Sequence, residues 1–303
     1  MSLREPIIQQ VFTLPCPKYY NLRTTCNAYG WVELAPFYWD DGADTLGATV
    51  SVSEGAVDLK IEQHKSDIII HTHSRKDLTE SHLNEIQSLL KRILDIEVNN
   101  SKLHEIAVTI GSKYPSLIEH GAGRLLHSPA LWEDAAKTLF TTNCSWALTK
   151  KISEEICIAF STSTSPLGKY PFPSPEIVAE LNESELRNLV PIGYRAPYLI
   201  SLAKEFSDNQ VLIKLEDKSR SFKEAKNIVM NLKGFGTYAA THVLVMAGYY
   251  DEIPVDSVMK YYLNKTYGDD LPISVLIENI YSKWGRYKWW GMKLDKMNRR
   301  KIG

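Results

Sequence analysis

Apolar residues in the first part of the chain recur at every second position. Val50 and Val52, then Val57, Leu59 and Ile61, then Ile68 and Ile70 alternate with polar neighbours. Glu54-Gly55 and Lys65-Ser66-Asp67 stand where reversals belong. With the short runs Val11-Phe12-Thr13-Leu14 and Trp31-Val32-Glu33-Leu34, this predicts a curled antiparallel sheet with one buried face over residues 1–75. The period then changes. From Leu78 to Ile96 a single stripe carries Leu83, Ile86, Leu90, Ile93 and Leu94, with Thr79 placed to cap a helix. Val98 to Ser101 is a polar break. Beyond it helical periods follow one another, interrupted at Tyr114-Pro115, Gly121-Ala122-Gly123, Pro166-Leu167-Gly168 and Pro191-Ile192-Gly193. The pattern predicts an α+β chain, with a small antiparallel β domain carrying one helix over 1–100 and a helical part over 101–303.

Composition narrows the class by exclusion. The 303 residues are enough to bury a real core. A formal net charge of −1 gives no global sign of a nucleic-acid partner, so any such charge must be local. Cys16, Cys26, Cys144 and Cys157 are too scattered for a disulfide scaffold or a zinc module, and no side-chain metal set is visible. No apolar run reads as a signal peptide or a membrane span, so a soluble intracellular protein with reduced thiols is expected.

The chemistry concentrates between Ser221 and Tyr267. Ser221 to Met230 puts Phe222, Ala225, Ile228 and Val229 on one helical face. Lys233-Gly234-Phe235-Gly236 breaks that helix, because glycine takes positive φ without steric cost. A second helix restarts at Thr237 with small residues for close packing. Amides at such a restart form an anion site, and a DNA phosphate is a natural occupant. Ile253-Pro254-Val255-Asp256 then leads into an amphipathic helix, so Asp256 sits at an N-cap. Capping alone explains an Asp there. The sharper reading is a carboxylate kept charged by the helix end and aimed at a ligand that the hairpin clamps.

The pattern L-K-G-F-G-T-Y-A-A followed by G-Y-Y-D-x-x-P-V-D resembles the helix-hairpin-helix-Gly/Pro-Asp superfamily of DNA glycosylases, in its 3-methyladenine and 8-oxoguanine branch. The resemblance implies a phosphate-gripping hairpin at Gly234, Gly236 and Thr237, with Lys233 beside it, and a catalytic Asp256. Tyr19 to Thr25 followed by Trp39 looks like the opening of that branch's β domain. Leu139 to Trp146 looks like the segment where a polar residue, here Asn143, fills the gap left by an extruded nucleotide. Gly193-Tyr194-Arg195 resembles the wedge of the 8-oxoguanine branch, with Tyr194 entering the duplex and Arg195 meeting the orphaned base; ring and guanidinium suit those tasks. Trp146, Tyr238 and Trp284 are the candidate base-pocket aromatics. Trp31 and Trp39 offer themselves too, although aromatics in strands are more often core. Tyr281 to Trp290 interleaves aromatics with Lys and Arg, and Asn298-Arg299-Arg300-Lys301 reads as a solvated basic end. Some relatives carry an iron–sulfur cluster on four cysteines beyond the catalytic Asp. This chain has none after Asp256, so no cofactor is expected.

Bifunctional relatives place a lysine two residues after the second hairpin glycine. The residue there is Tyr238, and a phenol cannot form an imine. The expectation is a monofunctional glycosylase that flips a damaged purine from duplex DNA and hydrolyses its N-glycosidic bond with water. Absence of the amine suits alkylated purines, whereas Tyr194-Arg195 and Phe172-Pro173-Ser174 look like the oxidised-guanine branch. The expected partner is double-stranded DNA with a damaged base, met by a monomer, in a prokaryotic cytoplasm or nucleoid or a eukaryotic nucleus. Two alternatives stay open: a glycosylase/lyase using another lysine, and a non-catalytic hairpin module that only grips DNA.

Overall fold

The structure, a computed structural model, describes residues 7–208, 212 and 214–300. Its contacts group into two units, Met1–Val98 with Arg124–Asn209, and Asn99–Gly123 with Gln210–Gly303. The grouping does not follow two successive blocks of sequence, because the helices α3 (Ser101–Ile110) and α4 (Lys113–Glu119) fall in the second unit.

The first unit holds the antiparallel sheet that the alternating pattern requires. It contains β1 (Ile8–Pro15), α1 (Leu22–Cys26), β2 (Phe37–Asp40), β3 (Thr45–Val52), β4 (Gly55–His64) and β5 (Asp67–Ser74), with strand order β1-β5-β4-β3-β2. Val50 pairs with Val57 and Ile61 with Ile70, so the predicted alternations share one face. The hairpins close at the expected places, and Gly55 has φ 129, which only glycine adopts freely. Helix α2 runs from Glu80 to Ile93, shorter than its periodic stretch, with Thr79 accepting from the His82 amide and Ile86, Leu90 and Ile93 buried.

One expectation fails here. Trp31-Val32-Glu33-Leu34 is not a strand; Trp31–Glu33 is a turn of 3₁₀ helix entered from Gly30 at φ 93. The reason is tertiary. The Trp31 indole is buried and donates to Asp134 Oδ1 at 2.7 Å, so the ring belongs to the core and not to a base pocket.

That acceptor lies on α5 (Leu131–Thr141), whose residues from Leu131 to Phe140 are all buried, charged ones included. Asp134 also accepts from the Ser128 amide at 3.0 Å and pairs with Arg92 at 2.8 Å. Burial alone would raise its pKa, but Arg92 and His127 outweigh burial and hold it below the usual carboxylate range. Lys137 pairs with Glu133 at 2.6 Å one turn away and donates to Ser128 Oγ at 3.3 Å. Burial pushes the Glu133 carboxyl upward against that pairing. The unit continues through α6 (Trp146–Phe160), α7 (Pro175–Ala179), α8 (Glu183–Leu189) and α9 (Ala196–Asp208).

The second unit adds α10 (Phe222–Met230), α11 (Thr237–Met246), α12 (Ser257–Tyr267), α13 (Ile273–Tyr281) and α14 (Lys288–Arg300). Its core is aromatic. Tyr281, Trp284, Trp289 and Trp290 are almost wholly buried, with Tyr114 of α4 edge-on to Trp284 at 5.2 Å. Buried Asp295 of α14 is a hub, its Oδ2 accepting from the hydroxyls of Tyr262 (2.9 Å), Tyr267 and Tyr281 (3.1 Å). Arg299 donates to its Oδ1 at 3.3 Å, so that part of the basic tail is anchored and not merely solvated; Lys301 lies outside the described residues. No helix among the described residues is long and apolar enough to cross a membrane.

The buried pair on α5 makes a sharp stability test. Glu133→Gln strands the Lys137 ammonium and should cost about 3–5 kcal/mol by urea unfolding, and the double change Glu133→Leu with Lys137→Met should recover most of it.

Candidate functional site

The predicted residues are divided between the units, with Asn143, Trp146, Tyr194 and Arg195 in the first and Lys233, Gly234, Gly236, Thr237, Tyr238, Asp256 and Trp284 in the second. In the second unit, α10 opens with a capping box. Ser221 Oγ accepts from the Glu224 amide, and Glu224 Oε2 accepts from the Ser221 hydroxyl at 2.7 Å and from the Ser221 amide at 2.9 Å, bonds that in that order lower the Glu224 pKa. The chain leaves α10 at Asn231 and turns through Gly234, whose φ of 88 demands glycine. Phe235 anchors the turn as a buried ring between exposed Gly234 and Gly236.

Gly236 differs from the sequence expectation. Its φ of −83 and ψ of −177 suit any residue, and a Cβ placed there would meet no atom within 4 Å. Neither the turn nor the packing requires glycine at 236. What its lack of a side chain does provide is open approach to α11, which starts at Thr237 with no side-chain cap. The first amides of α11 therefore face outward without an internal side-chain acceptor, and Lys233, Gly236 and Thr237 are exposed around them.

Tyr238, in the second position of α11, is half-buried and edge-on to His242 at 4.4 Å. His242, one turn on, was not singled out from the sequence, although the i, i+4 spacing was available as a signal. The residue is half-buried, and burial of its ring, followed by the charge of Lys293, lowers its pKa to about 3. A neutral imidazole thus backs the phenol, with an α14 amine close enough for its charge to be felt.

Asp256 is half-buried at the start of α12, with extended φ −108 and ψ −174. Its Oδ1 accepts from the Met259 amide at 2.6 Å. Its Oδ2 receives no hydrogen bond from the described residues. The capping reading is met by Oδ1 alone, and Oδ2 takes no part in it. Tyr262 and Tyr267, farther along the same helix, are the ones tied to Asp295. Sequence inspection also passed over Asp251, whose carboxyl is raised by burial and whose Oδ2 is buried without a partner.

In the first unit, the segment between α5 and α6 meets the 3₁₀ turn Gly193–Arg195. Asn143 has φ 45, a conformation that asparagine tolerates better than most residues, and its amide donates to the Tyr194 hydroxyl at 3.4 Å. Tyr194 is half exposed and edge-on to Tyr198. Arg195 corrects an expectation. It is 4% exposed, and its guanidinium donates inward to the carbonyls of Thr142 and Asn143, the latter at 3.1 Å. The fork of donors that suited an orphaned base is spent on holding the turn that presents Asn143 and Tyr194.

Two pocket aromatics also move. Trp284 is 2% exposed, edge-on to Tyr114 and closed off by Gly291, where any Cβ would collide with the indole, so it is core and does not line a base pocket. Trp146 is partly open, but its indole donates to Glu33 at 3.1 Å and lies against Gly30 within its own unit. Among the described residues no cluster of His, Cys, Asp and Glu is arranged to hold a metal ion, and all four cysteines are free thiols.

The depressed His242 pKa predicts a direction with pH. The unfolded ring takes a proton near 6.5, whereas the folded ring refuses it until about 3. Between those values only the unfolded state gains the proton, so stability falls as pH drops from 6.5 toward 3. Urea unfolding at pH 7 and pH 5 should show a smaller loss in His242→Gln than in the parent.

The model of the HhH-GPD superfamily base excision DNA repair protein matches residues 136–293, just over half the chain and a span that includes Asn143, Tyr194, the hairpin and Asp256. Solved structures of similar fold include MBOgg1 in complex with a low-affinity DNA ligand, at 17% identity and TM-score 0.73, covering 98% of this chain and 99% of that one. The 3-methyladenine DNA glycosylase from Archaeoglobus fulgidus aligns at 16% identity and TM-score 0.71 over 95% and 98%. The Clostridium acetobutylicum 8-oxoguanine glycosylase/lyase in its apo form aligns at 14% and 0.72 over 95% and 96%. At such identities the likeness establishes the shared fold. No curated sequence matches the chain.

Proposed function

The chain belongs to the HhH-GPD superfamily of base excision DNA repair proteins, as a DNA N-glycosylase, and from that premise we propose that it releases a damaged purine from double-stranded DNA by hydrolysis, without cutting the strand. The observation that carries the reading is the division of labour at Asp256. One carboxylate oxygen is fixed by the Met259 amide, which sets the direction of the other, and the other is left for a ligand. A carboxylate so held stabilises the positive charge that grows on the deoxyribose as the N-glycosidic bond breaks. Water then bonds to the anomeric carbon and gives up a proton, and the base leaves with the electron pair of the broken bond. Asp256 orients that water.

The other residues take roles around this step. The uncapped amides of α11 hold a backbone phosphate, with Lys233 as a neighbouring charge and the bare Gly236 allowing close approach. Tyr194 and Asn143 occupy the space vacated by the flipped nucleotide, on a turn that Arg195 braces from within. Double-stranded DNA is the partner in the complex of the Clostridium enzyme with DNA containing cytosine opposite 8-oxoG, and it is the proposed partner here, met by a monomer. An alkylated purine is the favoured target, because a cationic base leaves without the help of an amine.

One observation supports a second reading. Lys293 lies close enough to depress His242, one turn from Tyr238, so an amine does stand near the position that lyases fill with lysine. Borohydride trapping on lesion-bearing duplexes separates the two. The monofunctional reading expects no covalent adduct; an abundant adduct that Lys293→Met abolishes would establish the lyase instead.

Two variants test the hydrolytic reading. Asp256→Asn should lower single-turnover base release roughly a hundred- to thousandfold while duplex affinity changes little. Equal release by both proteins would remove Asp256 from the chemistry. Gly236→Asp places an anion at the open end of α11, and should weaken binding to any duplex about tenfold and reduce its salt dependence. Unchanged affinity across salt concentrations would rule out phosphate binding there.

A further inference from the structure

Away from every residue assigned above, the first unit contains a cleft of about 350 Å³ between β2, α6 and the loop 164–170. Its volume is at the small end of the range for bound small molecules, roughly 300–1,000 Å³. Pro36, Phe37, Cys157, Ile158 and Tyr170 give it an apolar wall, and Lys169 and Glu154 are its charged members.

The surroundings of Lys169 are built rather than loose. Its ammonium rests 3.2 Å from the centre of the Tyr38 ring. Tyr38 in turn covers Gly47, its partner across the β2–β3 ladder, where any Cβ would fall inside the ring. A glycine in a strand interior weakens the strand, and here it admits the ring. The loop that delivers Lys169 is pinned to the sheet. Gly168 turns at φ 75, Ser165 Oγ accepts from the Lys169 amide at 3.0 Å, and Asp58 accepts from the Leu167 amide at 3.0 Å. The other oxygen of buried Asp58 is taken by Thr49 at 2.8 Å, so the nearby acid serves the loop and not the ammonium. Neither Lys169 nor Glu154 forms an ion pair among the described residues, either with each other or with a third group.

Two opposite charges thus line one small cleft without neutralising one another. A plain anion would meet Lys169 and be repelled by Glu154, and a plain cation would face the reverse. The Tyr38 ring, packed over Gly47, supports the ammonium and is itself 40% exposed. Ile158, 49% exposed at the rim, and Tyr170 add further open apolar surface. We propose that this cleft binds a small amino-carboxylic zwitterion with an apolar body, its carboxylate on Lys169 and its ammonium on Glu154. Cys157 contributes only wall, since burial pushes its thiol pKa well up and keeps it protonated.

The test uses the full chain and four probes followed by NMR shifts and calorimetry. L-phenylalanine and 4-(aminomethyl)benzoate carry both charges at different separations; 3-phenylpropionate and phenethylamine carry one each. At least one zwitterion should bind about tenfold more tightly than either singly charged probe. Lys169→Met and Glu154→Gln should each weaken that zwitterion about tenfold, with an unchanged thermal midpoint as evidence of folding. Absence of binding by both zwitterions at millimolar concentration would overturn the proposal. So would a singly charged probe that binds as well as they do, a result that needs no variant to fold.

Discussion

The amides at the start of a helix must find an acceptor, and the second unit answers that requirement in three ways along one stretch of chain. Helix α10 satisfies its own amides through Ser221 and Glu224. Helix α12 does so through Asp256 and uses only one of its two carboxylate oxygens. Helix α11, between them, has no side-chain cap, and Gly236 leaves its end bare. An unsatisfied positive helix end and a partly engaged carboxylate are the two electrostatic features on which the proposed function draws, the first for a phosphate and the second for a developing sugar cation.

The surrounding structure keeps those features from collapsing onto the protein itself. Phe235 is buried between the two glycines, which fixes the turn to the core. Asp295 gathers hydroxyls from Tyr262 and Tyr267 and so ties the far part of α12 to α14, while Tyr281 does the same for α13. A buried carboxylate that receives several hydrogen bonds is costly to break and therefore rigidifies the helices around it. In the first unit, α5 carries Glu133, Asp134 and Lys137 into the core, and each finds a specific partner. Arg195 works in the same manner, turning inward to the carbonyls of Thr142 and Asn143. In both units buried polar pairs fix the backbone, and small exposed groups are presented outward.

The features legible in the sequence were those with a local cause. Alternation of Val50, Val57 and Ile61 with polar residues specified strands and a shared apolar face, because side chains in a strand point alternately to its two sides, whereas the burial of both faces of β3 came from the fold. Thr79 and Asp256 announced helix starts, since capping is decided within a few residues. Gly234 followed from the handedness its turn needs. The hairpin and the Pro-x-Asp spacing carried the resemblance, which pointed to the family to which residues 136–293 belong.

Tertiary structure decided which way an ambiguous side chain faces. Trp284 and Trp31 have the composition of pocket walls, yet Gly291 and Asp134 draw them into the core. Arg195 has the chemistry of a base reader, but its nearest acceptors are carbonyls about fifty residues earlier in the chain. His242 mattered only once packing lowered its basicity beside Tyr238, and Lys169 only once a glycine across the sheet admitted the ring beneath it. Periodicity and caps act over one or two turns, so the sequence alone determined the elements and the positions of the hairpin and the acid. Burial and hydrogen-bond partnership depend on residues distant in the chain, so only the folded structure decided which polar groups remain available for chemistry.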